Sequence, residues 1–402
     1  MQIKPKILQD WQTQRLISAK LAQTLAQDLE HKARAKAARN WTIALVTLGA
    51  LALGIAGILF ISANWHEITR LTKVSLALIT TFGSLFLGFY LAFYQKNLPQ
   101  LGRALIFLST LLFGGTLALV SQIYHLDGEP SGLFLLWTAG ILPLAYLLQE
   151  RNILRLSLLT LFLTIILFLG NAQSLGPTEI ARSFENLGLM VLTGLSFFAL
   201  GSLQKIFPQT QNFGTLWRLW GLKIAIFFLF FLTFGTILKE VSEQIFTNFQ
   251  LVPTLILLGL SAGFFLFTLY RNPPRKIPQK IAAGLFGANL VILGLYFLLP
   301  KILNPALNFA DTALFSLMLI LFNLVLIANL AGLLFLGYQQ ENLKILNLAF
   351  LGIGVFIFGK YLQFFEDLLE GSAFFLVGGI LLLLIGYFLE KKRRDLTQKI
   401  TP

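Results

Sequence analysis

The sequence contains no cysteine, only three histidines, and charged residues make up just 12% of the chain. Without cysteine it can form no disulfide, thiolate metal site or cysteine nucleophile. Soluble domains are about 25% charged, so a water-soluble globular enzyme is excluded. Phosphate-binding loops, nucleophile elbows and zinc-protease motifs are also absent from the sequence. The sequence therefore predicts no catalytic residue, no bound metal and no cofactor.

Apolar residues dominate the composition of the chain. The 402 residues are 56% hydrophobic, include 39 phenylalanines and have a mean hydropathy of +0.76. A membrane-spanning helix needs about 20 mostly apolar residues, and twelve segments meet that requirement. We therefore predict an all-α, polytopic integral membrane bundle of about twelve helices in a lipid bilayer. The predicted spans are 41–63, 71–94, 102–123, 131–149, 152–170, 187–204, 216–238, 250–270, 280–299, 311–337, 343–362 and 371–389.

The first 40 residues differ from the rest of the chain. Apolar side chains such as Trp11, Leu21 and Leu25 recur at roughly helical spacing among polar ones, which predicts two short amphipathic helices. No apolar run within the first 30 residues has the length of a signal-peptide core. This segment is a candidate docking site for a cytoplasmic protein. The predicted organisation is a cytoplasmic segment at 1–40, a membrane region at 41–170 and further membrane helices at 171–402.

The basic residues are distributed unevenly between the two sides of the predicted bundle. With a cytoplasmic amino terminus, alternation of the spans assigns 25 of the 31 Lys and Arg residues to the cytoplasmic side, five to the opposite side, and Lys360 to a span. Cytoplasmic loops of membrane proteins are enriched in Lys and Arg. Both termini are therefore predicted to be cytoplasmic. The net charge of +13 is explained in the same way, and no nucleic-acid partner is predicted.

Two polar stretches, 62–67 and 121–129, lie at the outer ends of the first and third spans. Both contain a serine followed three residues later by an aromatic residue and then histidine, which suggests duplication of a two-helix hairpin. Because the stretches are predicted to share one membrane face, we predict a polar small-ligand site there. Its candidate residues are Asn64, Trp65, His66, Glu67, Gln122, Tyr124, His125 and Asp127.

Two other interpretations of these stretches stay open. Trp65 and Tyr124 are typical of the aromatic belt at a membrane surface, and Asn64 or Gln122 could cap a helix end. Two histidines with a carboxylate are also a known zinc ligand set, but the sequence cannot bring the ligands together in space. The sequence favours no metal on this ground.

Polar residues inside the later spans are a second feature. Asn289, Asn323 and Asn329 are predicted to hydrogen-bond between helices, and Lys360 to pair with Glu366 or Asp367. No span contains Asp or Glu near its middle, which argues against a typical proton-coupled carrier. Glycines permit helices to approach closely. Those singled out are in the first three spans and at positions 284, 287, 294, 352, 354, 359, 378 and 379.

Four short motifs occur in order along the first third of the chain: Ala63-Asn64-Trp65, Phe113-Gly114-Gly115, Gln122-Ile123-Tyr124-His125 and Leu136-Trp137. In these motifs the chain resembles the DUF2157 family of prokaryotic predicted membrane proteins over about residues 5–150. The last two spans are similar to the carboxyl end of longer members, where an Arg-Tyr pair is usual and this chain has Lys360-Tyr361. The resemblance implies an inner-membrane protein and no particular activity.

Three functional hypotheses follow. The first is a transporter or small-ligand binding protein, which a water-accessible cavity reaching Asn289 and Asn323 would favour. The second is a non-catalytic scaffold or sensor that engages a partner through residues 1–40. The third is a membrane enzyme acting on lipid or polymer at the outer face, which convergence of His66 and His125 with a carboxylate would favour.

Overall fold

A computed structural model describes most of the chain between residues 68 and 394. The described residues are 68–95, 98–126, 128–170, 186–239, 251–303, 313–364 and single positions in 379–394. They are helical or in short connections, and none of them is in a strand. The chain divides into two compact units, residues 1–76 and 77–402. All packing considered below lies within the second unit.

Ten long helices are present in these residues. Each is long and apolar enough to cross a membrane. Helix α1 continues into a π-helical turn at Tyr90–Tyr94. The helices are α1 (Arg70–Phe89), α2 (Pro99–Tyr124), α3 (Pro130–Leu148), α4 (Arg151–Leu169), α5 (Leu187–Gln204), α6 (Gln211–Phe231), α7 (Leu251–Arg271), α8 (Ile277–Leu303), α9 (Ala313–Gln339) and α10 (Leu343–Phe364).

The ten helices correspond one to one to the second through eleventh predicted spans. The all-α, polytopic fold class is therefore confirmed. The first predicted span, 41–63, and the amino-terminal segment 1–40 lie outside the described residues, and only isolated helical positions of the twelfth, 371–389, are described. The total of twelve spans and the division into 1–40, 41–170 and 171–402 stay predictions.

The most tightly joined pair of spans is a true helical hairpin. Helix α3 ends at Leu148, Gln149 adopts the left-handed conformation with φ 54°, and α4 begins at Arg151. Glu150 in this turn forms an ion pair with Arg103 at the start of α2, with 3.1 Å between Nε and Oε1. The start of α2 and the α3–α4 turn therefore lie at the same end of the bundle.

Large apolar side chains are exposed along the helices. Ile79, Leu147 and Val252 are 69%, 80% and 65% exposed, and many other leucines and phenylalanines resemble them. In water a continuous apolar surface of this kind would drive aggregation, whereas hydrocarbon solvates it without cost. The helices are therefore built for a lipid bilayer.

Helix α5 is the centre of the second unit. In α5, 72% of the most apolar stretch is buried inside the protein, against 50% or less in each of the other nine helices. Hydroxyl pairs join neighbouring helices across buried faces. The pairs are Thr81–Thr116 at 2.9 Å (α1–α2), Thr138–Thr160 at 2.8 Å (α3–α4) and Ser196–Ser261 at 2.8 Å (α5–α7).

Glycines bring α5 and α6 into backbone contact. A Cβ atom added to Gly194 would lie 2.5 Å from the Ala225 nitrogen, and one added to Gly221 would lie 2.5 Å from the Gly194 oxygen. A second contact of the same kind lies seven residues away on each helix, between Gly201 and Gly214. No side chain fits in this interface, so the two helices pack through their main chains.

Several glycines predicted to mediate such contacts do not do so. Around Gly284, Gly287 and Gly294 no atom lies within 4 Å of an added Cβ, so the prediction of close helix approach is wrong there. Gly352 and Gly359 do pack closely, against the side chains of Leu330 and Phe230. The difference arises because the first three glycines are not at a helix–helix contact.

A matched pair of glycine substitutions tests the α5–α6 contact. Gly221→Ala places a methyl group against the Gly194 oxygen, and overpacking of this kind costs about 1–3 kcal/mol. Gly284→Ala adds the same methyl group in open space and gains about 1 kcal/mol of helix propensity. We expect a lower melting temperature in detergent for Gly221→Ala and no decrease for Gly284→Ala. Equal melting temperatures would contradict the close contact.

Candidate functional site

The predicted outer site is only partly described. Gln122, Tyr124 and His125 are described, whereas Asn64, Trp65, His66, Glu67 and Asp127 lie outside the described residues. Helix α2 ends at Tyr124, and His125 follows in the left-handed conformation with φ 49°. The backbone N–H groups of His125 and Leu126 both donate to the Ser121 oxygen. The main chain therefore supplies this helix cap, and the Gln122 side chain does not.

The described half of this site is open to its surroundings. Gln122 and His125 are exposed, and half of the Tyr124 surface is exposed. An exposed tyrosine at a helix end agrees with the aromatic-belt interpretation. Within the described ranges, no three His, Asp or Glu side chains converge as metal ligands. Convergence of the two polar stretches stays a prediction.

The motif residues of α2 and α3 pack directly against each other. The Trp137 indole lies in contact with Gly114, where a Cβ would collide with the ring, and its Nε1 donates to the Thr110 oxygen at 2.8 Å. The Phe113 ring occupies the corresponding space over Gly140. Two aromatic residues and two glycines thus lock α2 to α3, which gives these motif residues a structural role.

A cavity of about 550 Å³ opens between α5, α6, α7, α8 and the end of α9. We call it the basic vestibule. Its volume lies in the range of small-molecule sites. It contains three cationic side chains, and no carboxylate is among the residues that line it. Its polar lining consists of Ser202, Lys205, Arg218, Thr268, Asn272, Lys276, Gln279, Gln339 and Gln340.

Arg218 is the unusual residue of the basic vestibule. It lies two turns inside α6, about 10 Å from the helix start at 1.5 Å per residue. Its Nε is buried and has no hydrogen-bond partner. No described carboxylate forms an ion pair with it, and its guanidinium carbon lies 4.9 Å from the centre of the Phe198 ring. An arginine at the centre of a span costs about 2.5–3.5 kcal/mol on insertion scales, so arginines inside spans are candidates for functional residues.

The α5–α6 contact fixes the position of Arg218. The residue lies between Gly214 and Gly221, the two glycines through which α6 meets α5. A Cβ on Gly201 would lie 2.7 Å from the Arg218 nitrogen. The backbone of Arg218 is therefore held against α5, and its side chain extends beside Phe198 along the cavity wall.

Lys205 and Lys276 add positive charge at the mouth of the basic vestibule. Lys205 follows the last residue of α5, and Lys276 precedes the first residue of α8. Burial of the Lys205 ammonium group, and secondarily the positive charge of Arg218, lower the pKa of Lys205 to about 8. Because burial disfavours the charged form of Lys205, an anion bound beside it would stabilise that charge.

A smaller cavity of about 60 Å³ continues from the basic vestibule into the bundle. We call it the inner cavity. Phe198, Arg218, Ala282 and Gln340 line both cavities, so the two adjoin at Arg218. By volume it could hold roughly four water molecules, at about 10–15 Å³ each on this measure. Leucine is the commonest residue in its remaining wall, at Leu195, Leu222, Leu229, Leu285, Leu333 and Leu336.

An amide pair lies at the polar end of the inner cavity. Asn289 on α8 and Asn329 on α9 donate to each other's side-chain oxygens at 3.1 and 3.2 Å. Each amide nitrogen also donates to the carbonyl four residues earlier, at 2.7 and 2.8 Å. The prediction that these asparagines bond between helices is confirmed.

A second polar cluster lies near the other end of α6. Lys360 on α10 donates to the Thr233 oxygen at 2.6 Å and to the Gln363 side chain at 2.8 Å, and its Nζ lies 4.8 Å from the centre of the Phe234 ring. Asn323 on α9 donates to the same Thr233 oxygen at 3.2 Å. The predicted partners of Lys360, at 366 and 367, lie outside the described residues.

The sequence did not single out Arg218 as a site residue. Placing the start of the seventh predicted span at residue 216 made Arg218 one of three basic residues in a cytoplasmic stretch, 205–223. The structure begins this helix five residues earlier, at Gln211. A usable signal was present, because Arg218 is flanked by two tryptophans, Trp217 and Trp220, close to apolar residues on both sides.

Comparison with known proteins gives one match. Residues 9–154 match the DUF2157 family, which is described as a predicted membrane protein. No curated protein and no solved structure matches the chain. The matched residues include α1, α2, α3 and the first turn of α4, so the basic vestibule lies in the part that follows. The chain is therefore a membrane protein of many apolar helices whose residues 9–154 match the DUF2157 family of predicted membrane proteins.

Proposed function

We propose that this membrane protein binds a small anionic solute in the basic vestibule. The observation that supports the proposal is the buried Nε of Arg218, which has no acceptor in the part of the chain that the structure describes. A buried donor without an acceptor costs about 1–3 kcal/mol, and more when it is charged. A bound anion in the basic vestibule would supply the missing negative charge beside the guanidinium group, which lines the cavity.

The chemistry of the lining favours an oxyanion. A guanidinium group offers a planar fork of donors that matches a carboxylate, sulfate or phosphate, and lysines add point charges. Arg218, Lys205 and Lys276 provide these groups, and the amides of Gln279 and Gln340 provide further donors. A cationic solute would find no lining carboxylate to neutralise it.

The cavities also favour the first of the three functional hypotheses. Transport or small-ligand binding was expected to need a cavity that reaches Asn289 and Asn323. The inner cavity is lined by Asn289 but not by Asn323, so it extends through part of the bundle. The outer polar stretches of residues 62–67 and 121–129 stay a second, untested candidate for the ligand site.

We further propose that the basic vestibule faces the cytoplasm of a prokaryotic cell and that both termini lie on that side. The connections that line the vestibule, near Lys205, Lys276 and Gln340, are ones that the positive-inside rule assigns to the cytoplasm. Tyr146 supports this alternation: its hydroxyl accepts hydrogen bonds from Gln204 and Trp217, near helix ends that are assigned to the same side.

Replacing Arg218 by glutamine tests anion binding. Sulfate, phosphate and acetate are each titrated into detergent-purified protein at constant ionic strength against chloride, and the melting temperature is recorded. We expect at least one of them to stabilise the wild type and Arg218→Gln to weaken that binding about 10- to 100-fold, since hydrogen bonds to charged groups are worth about 1.5–3 kcal/mol.

The matched control is Lys223→Gln, which removes an exposed charge from the same helix outside both cavities. It should leave anion binding unchanged. Without an anion, Arg218→Gln should be at least as stable as the wild type, because it removes an unpaired charge. A marked loss of stability in the absence of anion would instead indicate a structural role for Arg218.

The low pKa of Lys205 predicts a pH dependence of binding. Below about pH 8 the Lys205 side chain is charged. A bound anion stabilises this charged form and so raises the pKa of Lys205, which means that anion binding is accompanied by proton uptake. Binding therefore weakens as the pH rises through 8. The affinity should fall about threefold to tenfold between pH 7 and pH 9.5, with each pKa unit equivalent to about 1.4 kcal/mol. In Lys205→Gln, where Arg218 and Lys276 remain, this decrease should disappear.

Reporter fusions test the orientation. A green fluorescent protein fused after residue 402 should fluoresce, because it folds in the cytoplasm, and alkaline phosphatase at the same position should be inactive. Alkaline phosphatase inserted at residue 176, between α4 and α5, should be active. An active phosphatase after residue 402 would show that the number of spans is odd or that the orientation is reversed.

A further inference from the structure

Polar side chains continue beyond the basic vestibule along the α6–α9 side of the bundle. From Gln340, just after α9, it is about 16 Å along the helix to Asn329 and about 9 Å further to Asn323. From Arg218 it is about 20 Å along α6 to its last residue, Phe231, and Thr233 follows two residues later. Three groups therefore lie at three depths: Arg218 with Gln340, Asn289 with Asn329, and Asn323 with Thr233 and Lys360.

The side chains at these three depths are predominantly hydrogen-bond donors. Arg218 and Lys360 are cations, the asparagine and glutamine amides donate and accept, and no carboxylate is among them. Leu222, Ile226 and Leu229 place the inner cavity on one face of α6, and Thr233 lies just beyond the end of that helix. Donors at these three depths are suited to an anion.

The route is closed beyond the inner cavity. On α9, Leu326 lies between Asn323 and Asn329 and Phe322 lies next to Asn323, and they are 1% and 0% exposed. Leu293 and Tyr296 on α8 are buried to the same degree. Apolar packing thus separates the inner cavity from the Lys360 cluster, and the cavities open at the vestibule end.

The two cations differ in their hydrogen bonds, although each lies over a phenylalanine ring. Arg218 Nε, on the open side, has no acceptor among the described residues, whereas Lys360, on the closed side, has two oxygen acceptors. Lys360 binds the Thr233 carbonyl, which lies in a short non-helical segment. Helix α6 ends at Phe231, residues 232–234 are not helical, and helix resumes at 235–239. Interrupted helices of this kind form substrate sites in alternating-access carriers.

We propose that the protein is an alternating-access carrier, in which the anion of the basic vestibule crosses between α6 and α9 to Lys360. The inference rests on the proposed function. The conformation described here is open at the vestibule and closed by Phe322, Leu326 and Tyr296. In the opposite conformation this packing separates, Lys360 releases the Thr233 carbonyl and binds the anion, and the vestibule closes around Arg218.

The absence of cysteine makes the test direct, because single cysteines can be introduced without removing any. Ala225→Cys lies in the inner cavity and Thr233→Cys in the closed half, and both replacements are nearly isosteric. A membrane-impermeant methanethiosulfonate reagent is applied to the full-length protein in inside-out and in right-side-out vesicles. Because labelling is irreversible, even a minor conformation is detected over time.

If the protein is a carrier, Ala225→Cys should react from both sides of the membrane, and faster from the vestibule side. Thr233→Cys should react from the side opposite the vestibule. The control is Leu324→Cys, on α9 between the two groups but 57% exposed toward lipid. A thiol in lipid does not ionise, so both test cysteines should react at least about tenfold faster than this control.

The alternative outcomes separate the two proposals. Labelling of Ala225→Cys from one side alone, with Thr233→Cys at the control rate, would overturn the carrier and leave anion binding intact. Labelling of Ala225→Cys at the control rate from both sides would mean that the cavities are not accessible, which overturns the proposed function as well. If Thr233→Cys fails to fold, Ala225→Cys decides between the same outcomes.

Discussion

The main-chain contact between α5 and α6 is the constraint on which the rest of the second unit depends. In lipid no hydrophobic force favours helix association over helix solvation, so packing and hydrogen bonds must supply the attraction. Gly194, Gly201, Gly214 and Gly221 provide that packing at two points seven residues apart on each helix. Because α5 is the most buried helix, the other helices are positioned around this pair.

Most of the buried polar side chains described in the bundle have partners. Threonine and serine pairs join helices, the two asparagines of the inner cavity bind each other, and Lys360 binds the Thr233 carbonyl. Arg218 differs, because its buried Nε has no acceptor among the described residues. This cation at the wall of the basic vestibule is the feature of the fold on which the proposal of anion binding rests.

The residues that match DUF2157 and the residues that line the basic vestibule lie in different parts of the chain. The match covers residues 9–154, whereas the vestibule lies between α5 and the end of α9. Tyr146 of α3 accepts hydrogen bonds from Gln204 of α5 and Trp217 of α6. These bonds hold the end of α3 against α5 and α6, the two helices whose contact positions Arg218.

The sequence alone determined the ten described spans, since continuous apolar runs of about 20 residues have no other stable solution in a bilayer. It also determined that Asn289 and Asn329 bond between helices, because an amide in hydrocarbon needs a partner. Only the tertiary structure decided which glycines matter. Gly284 and Gly194 are alike in sequence context, but only Gly194 meets another main chain. Likewise a count of charges treats Arg218 and Lys223 as equal residues of one stretch. Which of them is buried in a cavity and which is exposed depends on the face of α6 that the glycines press against α5, and helix packing sets that face.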